Sequence, residues 1–263
     1  MKTVEFLKAN NVDIDKSLEL FGDIATYNET LIEFQKGIEG KLARIDKFYK
    51  EGDMANYAIL VHSLKSDCKY FGFTKLAEIA YQHELESKAS NLNFVTQNYE
   101  SLVTEANKII KLVNSYLNDD EATDNTSSNV ETSSNENIIL VADDSEVIRI
   151  FVRKIFNDTY KLAFAENGDE ALNVIKEHQN DNSIKAILLD LNMPGTDGFA
   201  VLDYLKQNNL FNKMPVTIIS GDSSSEAINK AFTYGIVDML NKPFSETKIK
   251  DAVEKTINQA SSL

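Results

Sequence analysis

Two periodicities divide this chain. Up to residue 117, apolar residues recur three and four positions apart, in Leu18-Leu20-Phe21, in Tyr27-Leu31-Ile32-Phe34-Ile38-Leu42-Ile45-Phe48, in Tyr57-Leu60-Val61-Leu64-Cys68-Phe71 and in Val103-Ala106-Ile109-Ile110-Val113-Leu117. That spacing lays an apolar stripe along one side of a helix and predicts amphipathic helices packed as a bundle. The three prolines, Pro194, Pro215 and Pro243, all lie in the other half, so no ring interrupts these helices. From residue 138 the pattern changes to short apolar runs rich in β-branched residues: Ile138-Ile139-Leu140-Val141-Ala142, Ala186-Ile187-Leu188-Leu189, Val216-Thr217-Ile218-Ile219 and Val237-Asp238-Met239-Leu240. These have strand length, and the segments between them carry helical periodicity. Alternation of that kind predicts an α/β doubly wound parallel sheet, with helices on both faces and a ligand crevice at the C-terminal ends of the strands.

Between the halves, residues 118 to 137 hold six acids, no base and only Val130 as an aliphatic residue larger than alanine. Such a segment cannot bury enough to order itself, so it predicts an acidic, flexible tether with a root-mean-square span of roughly 25 Å. The domains expected are therefore residues 1 to 117, helical; 118 to 137, linker; and 138 to 263, α/β. The net charge of −14 is spread along the chain, with 17 acids against 14 bases in the first half and 18 against 13 in the last. Neither half is basic, which argues against nucleic-acid binding through a cationic patch. Cys68 is the only cysteine and rules out an internal disulfide. The opening residues lack an apolar signal core and no run reaches membrane-spanning length, so a cytoplasmic protein without membrane insertion is expected.

Four polar points stand at the ends of the apolar runs: Asp143-Asp144, Asp190, Ser220 and Lys242. The predicted sheet brings all of them to one edge. Taken singly, Asp143-Asp144-Ser145 also suits a helix cap before Glu146-Val147-Ile148, and an isolated lysine usually faces water. Their joint placement favours a site. Three carboxylates there repel at roughly 4 kcal/mol per pair when about 4 Å apart in an effective dielectric near 20. Lys242 supplies one compensating charge, and a hard oxygen-seeking cation such as Mg²⁺ supplies two more. A carboxylate beside a divalent cation, a lysine and a hydroxyl is equipped to attack a phosphoryl group and become an acyl phosphate.

In Val-Ala-Asp143-Asp144-Ser, Leu-Asp190-Leu-Asn192-Met193-Pro194-Gly195-Thr196-Asp197-Gly198, Ser220-Gly221 and Asn-Lys242-Pro243-Phe244, the chain resembles the receiver domains of two-component response regulators, over about residues 137 to 260. The resemblance implies a flavodoxin-like, five-stranded parallel sheet. It makes Asp190 the phosphoacceptor and Asp144 a direct ligand of Mg²⁺ (or Mn²⁺), with Asp143 acting mainly through a metal-bound water and the Asn192 backbone carbonyl as a further ligand. Ser220 would bond a phosphoryl oxygen, Lys242 would pair with the phosphate, and Pro243 would follow a cis peptide. Three residues before the lysine the family commonly carries Tyr or Phe, and here Met239 stands, which affects the mode of switching rather than phosphorylation. Phosphatases of the haloacid-dehalogenase type also combine Asp, Mg²⁺ and Lys on such a sheet, but they need an Asp-x-Asp pair after the first strand, where this chain has adjacent acids.

In the helical half, His62, Lys65, Ser66 and Lys69 fall at i, i+3, i+4 and i+7, opposite Leu64, Cys68 and Phe71. The spacing predicts an imidazole shown to solvent between two ammonium groups. A neutral ring nitrogen is nucleophilic near neutral pH, so His62 is a candidate phosphate carrier and Lys65 a candidate holder of phosphoryl oxygens. His62-Ser63-Leu64-Lys65-Ser66 followed by Phe71-Gly72 resembles the histidine phosphotransfer (HPt) domains, which imply a four-helix bundle over about residues 11 to 117, although Ser66 replaces the glycine of the pattern His-x-Leu-Lys-Gly. His83 and His178 suit ordinary surface or capping roles.

No glycine-rich nucleotide loop is present. The expectation is a phosphotransfer signalling protein rather than a kinase, passing phosphoryl groups through Asp190 and His62. Its expected partners are a histidine kinase or hybrid kinase and other receiver or HPt proteins, with phosphorylation-dependent dimerisation left open. Two alternatives stand beside it: a binding module gated by Asp190 alone with the helical half as docking scaffold, and a phosphate sink in which Asp190 hydrolyses quickly.

Overall fold

The computed structural model of the chain describes residues 1–118, 137–221 and 225–260. It divides into two compact units, Met1–Thr132 and Ser133–Leu263. The tether predicted at residues 118 to 137 lies, apart from its two end residues, outside the described residues. No described helix is long and apolar enough to cross a membrane.

The first unit is all-helical, with α1 (Val4–Ala9), α2 (Ile14–Phe21), α3 (Ile24–Glu51), α4 (Met54–Tyr70), α5 (Thr74–Lys88) and α6 (Leu92–Leu117). Four long helices, α3 to α6, are thus preceded by two short ones; the apolar spacing marked α2, α3, α4 and α6 but gave no stripe for α1 or α5. Local chemistry sets the boundaries. The Asp23, Asp53 and Asn91 side chains accept from Thr26, Asn56 and Phe94 backbone N–H groups at the starts of α3, α4 and α6. Gly52 ends α3 in the left-handed region. Between α4 and α5, Gly72 has φ +73°, and a Cβ there would stand 2.5 Å from the Asp13 carbonyl oxygen. Only glycine allows the turn to press against the start of α2.

Helix α4 is the centre of this unit, packed against α2, α3 and α5. Around its C-terminal end Phe71 meets Phe21, Tyr27, Phe34 and Phe73 with ring centroids 5.0 to 5.8 Å apart. Its polar side is covered as well. His62, Ser63, Lys65, Ser66 and Asp67 are all buried, and of the residues predicted to face solvent only Lys69 does so. The spacing was read correctly as a polar face, but that face packs against neighbouring helices through ion pairs instead of meeting water. On one flank the buried Lys41 ammonium of α3 binds Asp67 and donates to Ser63 Oγ at 2.9 Å. On the other, Glu84 of α5 receives His62 and Lys65. Buried charges persist only when paired in this way.

The second unit alternates β1 (Ile138–Ala142), α7 (Glu146–Phe156), β2 (Lys161–Ala165), α8 (Gly168–His178), β3 (Ile184–Leu189), α9 (Gly198–Gln207), β4 (Val216–Ser220), α10 (Ser225–Phe232), β5 (Asp238–Asn241) and α11 (Glu246–Ala260). The strands form one parallel sheet in the order β2-β1-β3-β4-β5. Helices lie on both faces, as a doubly wound flavodoxin-like fold requires. Ile138, Leu140 and Ala142 join a core with Ala171 and Ile175 of α8 and Val201, Leu202 and Leu205 of α9. The alternate residues Ile139 and Val141, also buried, point to the opposite face. The chain order reverses between β1 and β3, the point at which doubly wound sheets bind their ligands.

Replacing Lys41 with Met should leave the Asp67 carboxylate buried without its main compensating charge and destabilise the helical unit by about 3–5 kcal/mol. Urea unfolding followed by tyrosine fluorescence reads this unit selectively, since seven of the ten tyrosines precede residue 118.

Candidate functional site

The sheet's own hydrogen-bond ladder carries the site residues one step past each strand. Asp143 N–H donates to Ala165 O of β2 at 3.0 Å, Asp190 N–H to Ala142 O of β1 at 2.8 Å, and Lys242 N–H to Ser220 O of β4 at 2.8 Å. Side chains that follow three strands are thereby brought to one point. The Lys242 ammonium lies 2.6 Å from Asp143 Oδ2 and 2.5 Å from Asp190 Oδ2. Carboxylate oxygens of Asp143, Asp144 and Asp190 all fall within 4.8 Å of one another. Ser220 ends β4 fully buried, and the Lys242-Pro243 peptide is cis.

The loops around this point are fixed locally. Ser145 caps α7 through Ile148 N–H, and its own N–H donates to Asp143 Oδ1 at 2.9 Å. Asn192 N–H donates to Asp190 Oδ1 at 3.0 Å. The Asn192 side-chain amide nitrogen is buried and has no hydrogen-bond partner among the described residues. Gly198 opens α9 directly beneath Asp190, where a Cβ would come within 2.2 Å of the Asp190 carbonyl oxygen. Arg149, absent from the residues singled out in the sequence, donates from Nη1 to the Asp143 carbonyl oxygen and from Nη2 to Glu166 Oε1, both at 2.7 Å. Its position six residues after Asp143, in the first turn of α7, was the only signal available.

Electrostatics follow from this crowding. Burial pushes the Asp143 carboxyl up to about 7, Asp190 and Asp144 push the same way, and Lys242 opposes them. Burial works against the Lys242 ammonium, but the three carboxylates hold it well above the usual lysine range. Three acids facing one lysine are a donor set of hard oxygens short of positive charge, which fits a divalent cation of the Mg²⁺ class.

The helical unit holds a second cluster with the charges reversed. Glu84 Oε1 accepts from His62 Nδ1 at 2.6 Å and from Lys88 Nζ at 2.7 Å, while Oε2 accepts from Lys65 Nζ at 2.5 Å. Burial alone would raise the Glu84 carboxyl, but the hydrogen bonds and charges of His62 and Lys65 hold it well below the usual carboxylate range. Lys65 is itself lowered, first by burial. His62 is 2% exposed, and its Nε2 is buried with no hydrogen-bond partner among the described residues. The predicted solvent-facing imidazole is thus corrected to a buried one, and Lys65 is committed to Glu84. Glu84 escaped the sequence reading because it lies 22 residues away on the next helix. His83 is also buried rather than superficial, with Tyr57 Oη at 2.7 Å from Nδ1 and the Asn98 carbonyl oxygen at 3.3 Å from Nε2. His178 lies near the surface of the second unit beside Asp181 and Ser183.

Replacing Asp144 with Ala should weaken Mg²⁺ binding by at least about tenfold, the loss that even an outer-sphere partner typically causes. Isothermal titration of the full chain checks this, and unchanged affinity would remove the cluster as a metal site. Residues 139–254 match the model of the response regulator receiver domain. The chain is 34% identical over 121 residues to a probable C4-dicarboxylate response regulator of Priestia megaterium, covering 45% of this chain and 50% of the relative. It thus spans about half the length of that protein. Two shorter relatives from Bacillus subtilis are covered almost entirely. Sporulation initiation phosphotransferase F is 32% identical over 118 residues, 44% of this chain and 90% of the relative. The chemotaxis protein CheY is 30% identical over 122 residues, 46% of this chain and 97% of the relative. Through the α/β unit that carries the Asp143, Asp144, Asp190 and Lys242 cluster, this chain belongs to the response regulator receiver family of two-component signalling.

Proposed function

We propose that this chain is a two-component phosphorelay protein with two phosphoryl stations, Asp190 and His62. The observation that carries the first is the Asp190 carboxylate, held 2.5 Å from a buried lysine and beside two further acids at the end of β3. One Asp190 oxygen attacks phosphorus, a P–O bond forms to give an acyl phosphate, and the bond from phosphorus to the donor breaks with its electron pair leaving on the donor. Lys242 moves its charge onto the incoming phosphoryl oxygens, and the Ser220 hydroxyl donates to one of them. Asp143, Asp144, the Asn192 backbone carbonyl and Asp190 would hold Mg²⁺ (or Mn²⁺), which when bound neutralises charge on the phosphoryl group.

The second station rests on the hydrogen bond from His62 to Glu84. A carboxylate only accepts, so Nδ1 carries the proton and the lone pair of the neutral ring lies on Nε2. That arrangement leaves the nucleophile at Nε2 and resembles the HPt mode of phosphate carriage. The donor in this reading is a separate histidine kinase or hybrid kinase, other receiver or HPt proteins exchange phosphate with the chain, and a cytoplasmic location goes with those partners. The chain itself carries phosphate without drawing it from ATP.

The burial of Nε2 favours a second reading, in which Asp190 alone is modified and the helical unit is a docking scaffold. Labelling of the full chain with acetyl phosphate and Mg²⁺, in wild type, Asp190→Ala and His62→Gln forms, separates the two. Alkali-labile label should vanish with Asp190→Ala, and acid-labile label should need both residues. Acyl phosphate persisting in Asp190→Ala would overturn the first station. Label on Asp190 in wild type and His62→Gln, with no acid-labile label in any form, would move the helical unit to the scaffold reading.

A further inference from the structure

We propose that Lys88 is a positioning residue for His62, acting through Glu84 as a brake that an acidic partner releases. The inference rests on the reading of His62 as a phosphoryl carrier. Glu84 Oε1 is shared: His62 Nδ1 donates to it at 2.6 Å and Lys88 Nζ at 2.7 Å. The other oxygen belongs to Lys65 at 2.5 Å. The two lysines differ in what holds them. Lys65 is buried, three residues after His62 on the central helix, and packing fixes it. Lys88 is the last residue of α5, its side chain is 42% exposed, and its long stem can swing into water.

That asymmetry has a chemical consequence. When His62 Nε2 attacks phosphorus, an N–P bond forms and the bond from phosphorus to the donor breaks, with the electron pair leaving on the donor. The Nδ1 proton stays on the ring, which becomes positive. Glu84 Oε1 stabilises this charge to the extent that its own negative charge is not already taken by another cation. With Lys88 seated, the oxygen is divided between two donors and Nδ1–H is held less strongly. With Lys88 drawn away, the oxygen serves the imidazole alone. The Lys88 ammonium is the half-exposed member of the cluster and, with the exposed Lys69, presents positive charge close to His62. A partner that brings carboxylates to this face takes the ammonium for itself, so that docking and activation of Nε2 are coupled.

The test uses the full chain carrying Asp190→Ala, so that only nitrogen-bound label accumulates. Phosphoramidate serves as a small donor that brings no acidic surface. Lys88→Met should raise the initial rate of acid-labile labelling by about two- to fivefold, the range an exposed ion pair can carry. Lys88→Arg should return the rate to that of the parent, since guanidinium restores the ion pair. In nitrogen-15 imidazole spectra the Nδ1 proton should move downfield in Lys88→Met, a change that a merely structural role of Lys88 would not cause. A Lys88→Met chain that labels at the parent rate or more slowly, or whose Nδ1 signal stays in place, overturns the proposal while leaving His62 as carrier. Label that is indifferent to His62→Gln overturns the relay reading itself, and the role of Lys88 falls with it.

Discussion

The ion cluster of Lys242 with Asp143 and Asp190 is the constraint around which the α/β unit is arranged. Burying carboxylates side by side costs several kcal/mol each unless a cation sits among them, and Lys242 lies 2.6 and 2.5 Å from two of them. Such a cluster needs backbone that places each group without slack. The sheet supplies it, because Asp143, Asp190 and Lys242 each continue a parallel ladder by one hydrogen bond beyond its strand. Gly198 then lets α9 close beneath Asp190, and Arg149 ties the β1–α7 loop to Glu166. One positive charge among three acids leaves the point short of cation, which is what suits it to a metal and a phosphoryl group.

The helical unit solves the inverse problem. There one buried carboxylate, Glu84, gathers His62, Lys65 and Lys88. Under the proposed relay the reacting atoms are a carboxylate oxygen of Asp190 in the α/β unit and Nε2 of His62 in the helical unit. Both groups are buried, Asp190 at 0% and His62 at 2% exposure. Lys88, half exposed and bound to the same oxygen as His62, is the member of that cluster able to respond to an approaching surface.

Much of this was legible in the chain because strands buried on both faces read as unbroken apolar runs. Ile138–Ala142 and Val216–Ser220 are buried throughout, and Asp143 and Ser220 follow directly from where such runs stop, whereas Lys242 follows the partly buried β5. The edge strand Lys161–Ala165 is exposed at its start and only partly buried along most of its length, so it offered no run to find. In the helical unit, spacing located α3, α4 and α6 but could not distinguish a polar face turned to water from one paired with a neighbouring helix. His62, Lys65 and Ser66 were assigned to solvent for that reason, and only the tertiary partner Glu84 reverses the assignment. Arg149 and Glu84 were missed alike, because their roles arise from contacts between elements and leave no mark in local sequence.

Movement of phosphate between Asp190 and His62 is tested most directly by a mixing experiment. A full chain carrying Asp190→Ala is labelled on His62 directly with phosphoramidate, freed of donor and mixed with a full chain carrying His62→Gln in the presence of Mg²⁺. The account predicts that acid-labile label on the first chain disappears as alkali-labile label appears on Asp190 of the second. Label that remains on the first chain, or is lost to water without ever reaching Asp190, would contradict it.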